Sequence, residues 1–139
     1  MDSAIVDTGV WFALFDARDE RYKEGQAKAE LFEMLQIVIP WPTMYETLRT
    51  RLVKNPFALG QLERFLKSPA VVYLDDEPYR EEAFKLSFES SLRRRRPLSM
   101  VDCLLRLLID DVNVSVQYLA TFNHRDFIDV CIKRKVETI

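Results

Sequence analysis

Ile5-Val6-Asp7-Thr8-Gly9-Val10-Trp11-Phe12-Ala13-Leu14-Phe15 (IVDTGVWFALF) decides how the rest of the chain is read. Ala4-Ile5-Val6 is a short apolar strand that ends on one carboxylate, Asp7. Thr8 then opens an apolar helix expected to reach about Ala17. A strand turning through an acid directly into a helix is the first unit of an α/β fold. An enclosed, unpartnered carboxylate is costly, so Asp7 needs a partner or a function.

The same alternation continues on both sides of that unit. A helix near Glu20–Gln36 carries Tyr22, Ala29, Phe32 and Leu35 on a loose apolar face. Ile37-Val38-Ile39 is a second strand, closed by Pro40, and Pro42 opens a helix at a position proline tolerates. Pro56 starts a further helix bearing Phe57, Leu62, Phe65 and Leu66. Ala70–Leu74 is a third strand, and a long helix runs from about Pro78 to the arginine run Arg93-Arg94-Arg95-Arg96. Pro97 breaks it, and Leu98 begins a very apolar helix ending near Asp110. Val116–Ala120 is a fourth strand, a short helix spans His124–Cys131, and Val136–Ile139 forms a small final strand. Strands alternating with helices predict an α/β fold around a mainly parallel sheet. The 139 residues fit a single domain, 1–139, without repeat, linker or low-complexity segment.

Composition removes several function classes. Gly occurs only 3 times and no GxGxxG or GxxxxGK pattern exists, so a Gly-rich phosphate loop is not expected. A net charge of -2 with a pI near 5.5 is not that of a generally basic nucleic-acid binder, so any such contact needs a local patch. Cys103 and Cys131, far apart and among apolar residues, read as reduced thiols of a cytoplasmic protein. One His and two scattered Cys are too few for a zinc site. Neither a signal peptide nor a membrane span is expected.

Four acids follow strands or open helices: Asp7, Glu46, Asp102 and Asp126. In a parallel sheet, strand ends and helix starts share one edge, and ligands bind beyond the carboxyl ends of the strands. Each acid alone has a plain explanation. Asp7 is a possible N-cap. Thr43–Glu46 and Ser99–Asp102 are capping-box patterns, and Asn123–Asp126 a looser one. Asp102 also has Arg106 one turn later as an ion-pair partner. Jointly, the apolar settings point elsewhere. Carboxylates gathered at one edge repel each other, and a divalent cation relieves that repulsion. An all-oxygen donor set suits Mg²⁺ or Mn²⁺. Carboxylate-held Mg²⁺ serves phosphodiester hydrolysis, which requires no side-chain nucleophile.

Four pieces carry a family resemblance: Ile5-Val6-Asp7-Thr8 with its helix, Tyr45-Glu46-Thr47-Leu48, Leu98-Ser99-Met100-Val101-Asp102, and Leu119-Ala120-Thr121-Phe122-Asn123-His124-Arg125-Asp126-Phe127. In this order and separation the chain resembles the PIN-domain ribonucleases, most of all the VapC-type toxins of bacterial and archaeal toxin–antitoxin pairs. The resemblance implies a three-layer α/β/α sandwich and Mg²⁺- or Mn²⁺-dependent cleavage of RNA. It implies Asp7, Glu46 and Asp102 as core metal ligands. Many members carry an acid two residues after the threonine, where this chain has Asn123. Asp126 then supplies the fourth charge, with neutral Asn123 as an alternative oxygen ligand. Thr8, Ser99 and Thr121 become polar helpers that orient water or carboxylates, beside their plainer role as helix caps. A homodimer silenced by a small cognate antitoxin is implied as well.

Arg93, Arg94, Arg95 and Arg96 read either as a solvated helix end or as a contact for RNA phosphates or an acidic antitoxin segment. Arg49, Arg51 and Lys54, expected on the helix carrying Glu46, would extend that surface. Trp11, Phe12 and Phe15 read as core rather than a base-stacking platform. The alternative to an active ribonuclease is a catalytically weak PIN-like module binding RNA or protein, favoured by Asn123. A haloacid-dehalogenase-type phosphatase expects a second Asp where Gly9 stands. A receiver domain expects an acidic pair after the first strand, where Asp7-Thr8 stands.

Overall fold

The computed structural model describes residues 1–139. Its five strands are β1 (Ser3–Val6), β2 (Gln36–Pro40), β3 (Val71–Leu74), β4 (Tyr118–Ala120) and β5 (Glu137–Thr138). They form one sheet in the order β3-β2-β1-β4-β5, with every neighbouring pair parallel. The helices are α1 (Thr8–Phe15), α2 (Tyr22–Glu33), α3 (Trp41–Thr47), α4 (Thr50–Val53), α5 (Pro56–Leu66), α6 (Glu77–Phe88), α7 (Met100–Asp110) and α8 (Ile128–Arg134).

Side chains alternate across a strand, and here each face has its own core. Ala4, Val6, Ile37, Ile39 and Ala120 face one side, against Val10, Trp11 and Leu14 of α1, Phe32 of α2 and Leu62 of α5. Ile5, Val38 and Leu119 face the other, against Ala83 of α6, Leu104, Leu105 and Leu108 of α7, and Cys131 of α8. This is the three-layer α/β/α sandwich read from the sequence. Trp11 is fully buried and meets Phe65 edge-on at 5.6 Å, as a core residue does. Both thiols are free and buried.

The helices α1 and α2 cross so closely that Gly25 is required there. A Cβ at that position would lie 2.3 Å from the Ala13 carbonyl oxygen.

Several boundaries differ from the sequence reading. The first helix ends at Phe15, because Asp16 turns back on itself and binds the Arg18 backbone N–H at 3.0 Å. The second is trimmed to Tyr22–Glu33. The helix carrying Glu46 stops at Thr47, so Arg49, Arg51 and Lys54 are not on it. Arg49 caps α4, Arg51 lies within it and Lys54 follows it. That turn drops Leu52 into the core and carries Arg51 Nε to 3.2 Å from buried Asp16. The long helix ends in a π turn, Glu89–Arg93. The segment expected as a helix over His124–Cys131 divides into a 3-10 turn, His124–Asp126, and α8. No helix is long and apolar enough to cross a membrane.

Candidate active site

The strand order reverses direction beside β1: from it the chain proceeds to β2 on one side, and β4 lies on the other. Crevices at the carboxyl end of such a switch are the usual ligand sites of open parallel sheets. Asp7 leaves β1 at that point, and Thr121 leaves β4 beside it. The Asp7 backbone N–H donates to the Ala120 carbonyl at 2.9 Å, continuing the ladder one residue past the strand.

The Asp7 side chain is both an N-cap and a junction. Oδ1 accepts from the Thr8 backbone N–H at 2.8 Å. Oδ2 accepts from the Thr121 hydroxyl at 2.9 Å. Thr121 is fully buried, and its oxygen accepts in turn from the Asn123 backbone N–H at 2.9 Å. On the other side the Thr8 hydroxyl donates to Glu46 Oε1 at 2.8 Å. Asp7, Glu46, Thr8, Thr121 and Asn123 therefore form one bonded array drawn from three separate parts of the chain.

Glu46 does not close a capping box. The N-cap of α3 is Pro40, which has no side-chain acceptor, and the Thr43 hydroxyl donates to the Pro40 carbonyl at 2.8 Å. The local pattern fails because Trp41 and Pro42 are already the first helical residues, which leaves Thr43 inside the helix. Glu46 is freed for the site. Asp102, in contrast, does make its capping box: it accepts from the Ser99 N–H and donates its own N–H to the Ser99 hydroxyl, each at 3.0 Å. It nevertheless lies within electrostatic reach of Asp7. Burial pushes the Asp7 carboxyl up from its ordinary value, the Thr121 and Thr8 hydrogen bonds oppose that, and the charges of Asp102 and Glu46 push it up further.

No ion pair in the chain involves Asp7, Glu46 or Asp102. The charges of Glu46 and Asp102 both act on Asp7, and no cation of the chain offsets them. As donors they are uniformly hard oxygens, and Glu46 Oε2 and Asp102 Oδ1 have no hydrogen-bond partner, so the chemistry of the set fits Mg²⁺ or Mn²⁺. The set is open: no three His, Cys, Asp or Glu side chains stand grouped closely enough to grip an ion where they lie.

The fourth corner is built differently. Asn123 stands at the N-cap of the His124–Asp126 turn, but its side chain accepts no backbone N–H there; its amide donates to Asp126 Oδ2. Asp126 is joined to Asp7 only through Asn123 and Thr121.

Arg106 does not pair with Asp102, whose carboxylate is turned toward Ser99. It reaches across to α8, making a two-pronged pair with Asp129 at 2.6 and 2.8 Å and donating to the Asp126 carbonyl at 2.7 Å. Arg96 donates to the same carbonyl at 3.1 Å and pairs with Asp129 at 3.4 Å. The arginine run is thus divided. Arg96 clamps the 123–126 turn, Arg94 pairs with Glu89 at 3.1 Å, and Arg93 and Arg95 stay exposed without an ion pair. Sequence reasoning missed Arg106 and Asp129 as the link between α7 and that turn, because helical spacing offered Asp102 first. No protein-family model matches this chain, and no curated protein matches it.

Proposed function

We propose that this protein is a metal-dependent endoribonuclease of the PIN type, the toxin of a toxin–antitoxin pair, hydrolysing RNA phosphodiester bonds at the Asp7–Glu46–Asp102 cluster. One observation carries the reading: Asp7 and Glu46 are joined through Thr8 at the switch point of a parallel sheet, the charge of Asp102 reaches Asp7, and no cation of the chain pairs with any of the three. Asp16, Asp110 and Asp129 each pair with an Arg or Lys, which these three carboxylates do not. Asp7, Glu46 and Asp102 would hold Mg²⁺ or Mn²⁺, which supplies a Lewis acid and a water acidified toward neutral pH.

The chain's own groups have definable tasks. Thr8 and Thr121 hold the Glu46 and Asp7 carboxylates by hydroxyl donors and fix which lone pairs remain free. The N-terminus of α1 beside Asp7 and that of α7 beside Asp102 lower the cost of collecting negative charge there. Arg93 and Arg95 supply free cations for a polyanion whose approach the acids would otherwise oppose. A homodimer and an antitoxin partner belong to the same proposal.

A catalytically weak module that binds RNA or protein is the second reading. It is favoured by Asn123, which brings a neutral amide to the fourth corner and occupies Asp126 with it. Glu46→Gln and Asp102→Asn separate the two. Under the first reading each variant loses at least about 100-fold in single-turnover RNA cleavage. Under the second there is no cleavage to lose, and RNA is retained equally by all three proteins.

A further inference from the structure

Two arginines near the carboxylates are held by aromatic rings rather than by acids. The Arg21 guanidinium lies over the Phe122 ring, 4.8 Å from its centre. The Arg49 guanidinium lies over the Phe12 ring, 5.6 Å from its centre. Both distances fall within the range of cation–π attraction, and both arginines are exposed.

The rings tie each cation to the site. Phe122 stands between Thr121, whose hydroxyl holds Asp7, and Asn123. Phe12 follows Thr8, whose hydroxyl holds Glu46, by one turn of α1, about 6 Å. Both rings lie on one face of the sheet: Phe12 is in its core and Phe122 packs against that core. The two assemblies flank β1, because Phe122 comes just after β4 and Arg49 comes from the chain beyond β2 and α3. Arg93 and Arg95 belong to the other face, beyond the helix α6 that packs there.

The manner of holding decides what these arginines can do. Arg80, Arg106 and Arg134 commit their N–H groups to Asp76, Asp129 and Asp110. A ring face attracts the charge of a guanidinium but leaves its N–H edge open. Arg49 makes no ion pair, and Arg21 makes only a long one, 3.5 Å to exposed Glu24. Each is oriented in advance with its fork still free, and a free fork fits an oxyanion such as phosphate. A polynucleotide carries a phosphate at every nucleotide. With one phosphodiester at the carboxylates, its neighbours extend to both sides at once, and one arginine stands on each.

We propose that Arg21 and Arg49, seated on Phe122 and Phe12, are a pair of phosphate-binding residues that grip a polynucleotide on the two sides of the bond placed at Asp7 and Glu46. The identity of the polyanion rests on the ribonuclease reading; the pair itself rests on these four side chains.

Binding of a short fluorescein-labelled oligouridine, followed by anisotropy in EDTA over a range of salt concentrations, tests it apart from any cleavage. Arg21→Met and Arg49→Met are compared with Arg64→Met, which removes an exposed arginine of α5 that makes no ion pair. On a single strand each phosphate contact adds about 0.7 to the slope of log affinity against log salt. Arg21→Met and Arg49→Met should each lower the slope by about that amount, and the double variant by about twice as much, with severalfold weaker binding and unchanged helicity. Arg64→Met should keep the wild-type slope. A protein that binds no oligouridine, a slope indifferent to both arginines, or one lowered equally by Arg64→Met overturns the proposal. So does polyglutamate bound as tightly through the same arginines, which would assign them to an acidic protein segment. Cleavage with Mg²⁺ is assayed separately on the same proteins. An arginine-dependent slope without cleavage keeps the pair and removes the nuclease, whereas cleavage with unaltered slopes removes the pair alone.

Discussion

Replacing Asp7 by Asn should stabilise the metal-free protein at neutral pH while removing its activity. Asn is as good an N-cap as Asp, and its carbonyl still accepts from the Thr8 N–H. On the other side an amide NH₂ replaces the oxygen that accepts from Thr121. The hydroxyl must rotate, and one charge-assisted hydrogen bond is lost, at a cost of roughly 1 kcal/mol. Against this, the variant removes a largely buried charge that Asp102 and Glu46 repel. Burial is the largest of these effects, so that relief outweighs the lost hydrogen bond. The net expectation is a gain in urea unfolding with EDTA present on the scale of a single stabilising substitution, roughly 0.5–2 kcal/mol. Its pH dependence has a definite sign. The folded Asp7 binds its proton more tightly than the unfolded one, so wild-type stability falls as pH rises from the ordinary value of 3.8 through the raised one. The advantage of the variant should therefore be full at neutral pH and vanish below pH 3.8. Added Mg²⁺ should reverse the order, since an ion at 100 times its dissociation constant stabilises the wild type by about 2.7 kcal/mol. A variant equal to or weaker than the wild type, with no change across pH, would return Asp7 to the rank of a plain cap and refute the reasoning.

Gly25→Ala should destabilise by roughly 2–3 kcal/mol, because the added carbon meets the Ala13 backbone, whereas Gly60→Ala, with nothing within 4 Å, should gain up to about 1 kcal/mol from helix propensity; paired urea titrations read both. Arg106→Met should cost roughly 1–2 kcal/mol at neutral pH, an exposed half of the pair limiting the loss. Arg106 holds the Asp129 carboxyl well below its ordinary value of 3.8, so this contribution is full above that pH and fades as pH falls through the folded value, which acid titration of both proteins would reveal. Cys103 and Cys131, buried and with thiols pushed up mainly by that burial, should resist a thiol reagent in the native protein and react at once in denaturant.

Much of the sandwich was legible because its strands are short apolar runs and its helix starts carry Pro or Ser. Ile5-Val6-Asp7 and Ile37–Pro40 announced themselves in this way. The interruption after Thr47 was not legible, since neither Gly nor Pro marks Leu48; the chain turns there so that Leu52 reaches the core and Arg51 reaches Asp16. Asp16 itself was overlooked, although an acid closing an apolar helix and followed by Arg18 is a signal of a buried pair. Local spacing misled most at the site. The threonine before Glu46 suggested a cap, and the helical position of Arg106 suggested Asp102. In both cases a non-local partner took precedence: Thr8 across the sheet edge for Glu46, Asp129 on the neighbouring helix for Arg106.

The measurement that bears most directly on the central claim is cleavage of labelled total RNA by the purified protein with Mg²⁺, with Mn²⁺ and with EDTA, beside Asp7→Asn. The expected result is a set of discrete products that need the metal and disappear in the variant. Intact RNA under every condition, or products that persist in EDTA or in Asp7→Asn, would contradict a carboxylate-held metal ribonuclease at this site.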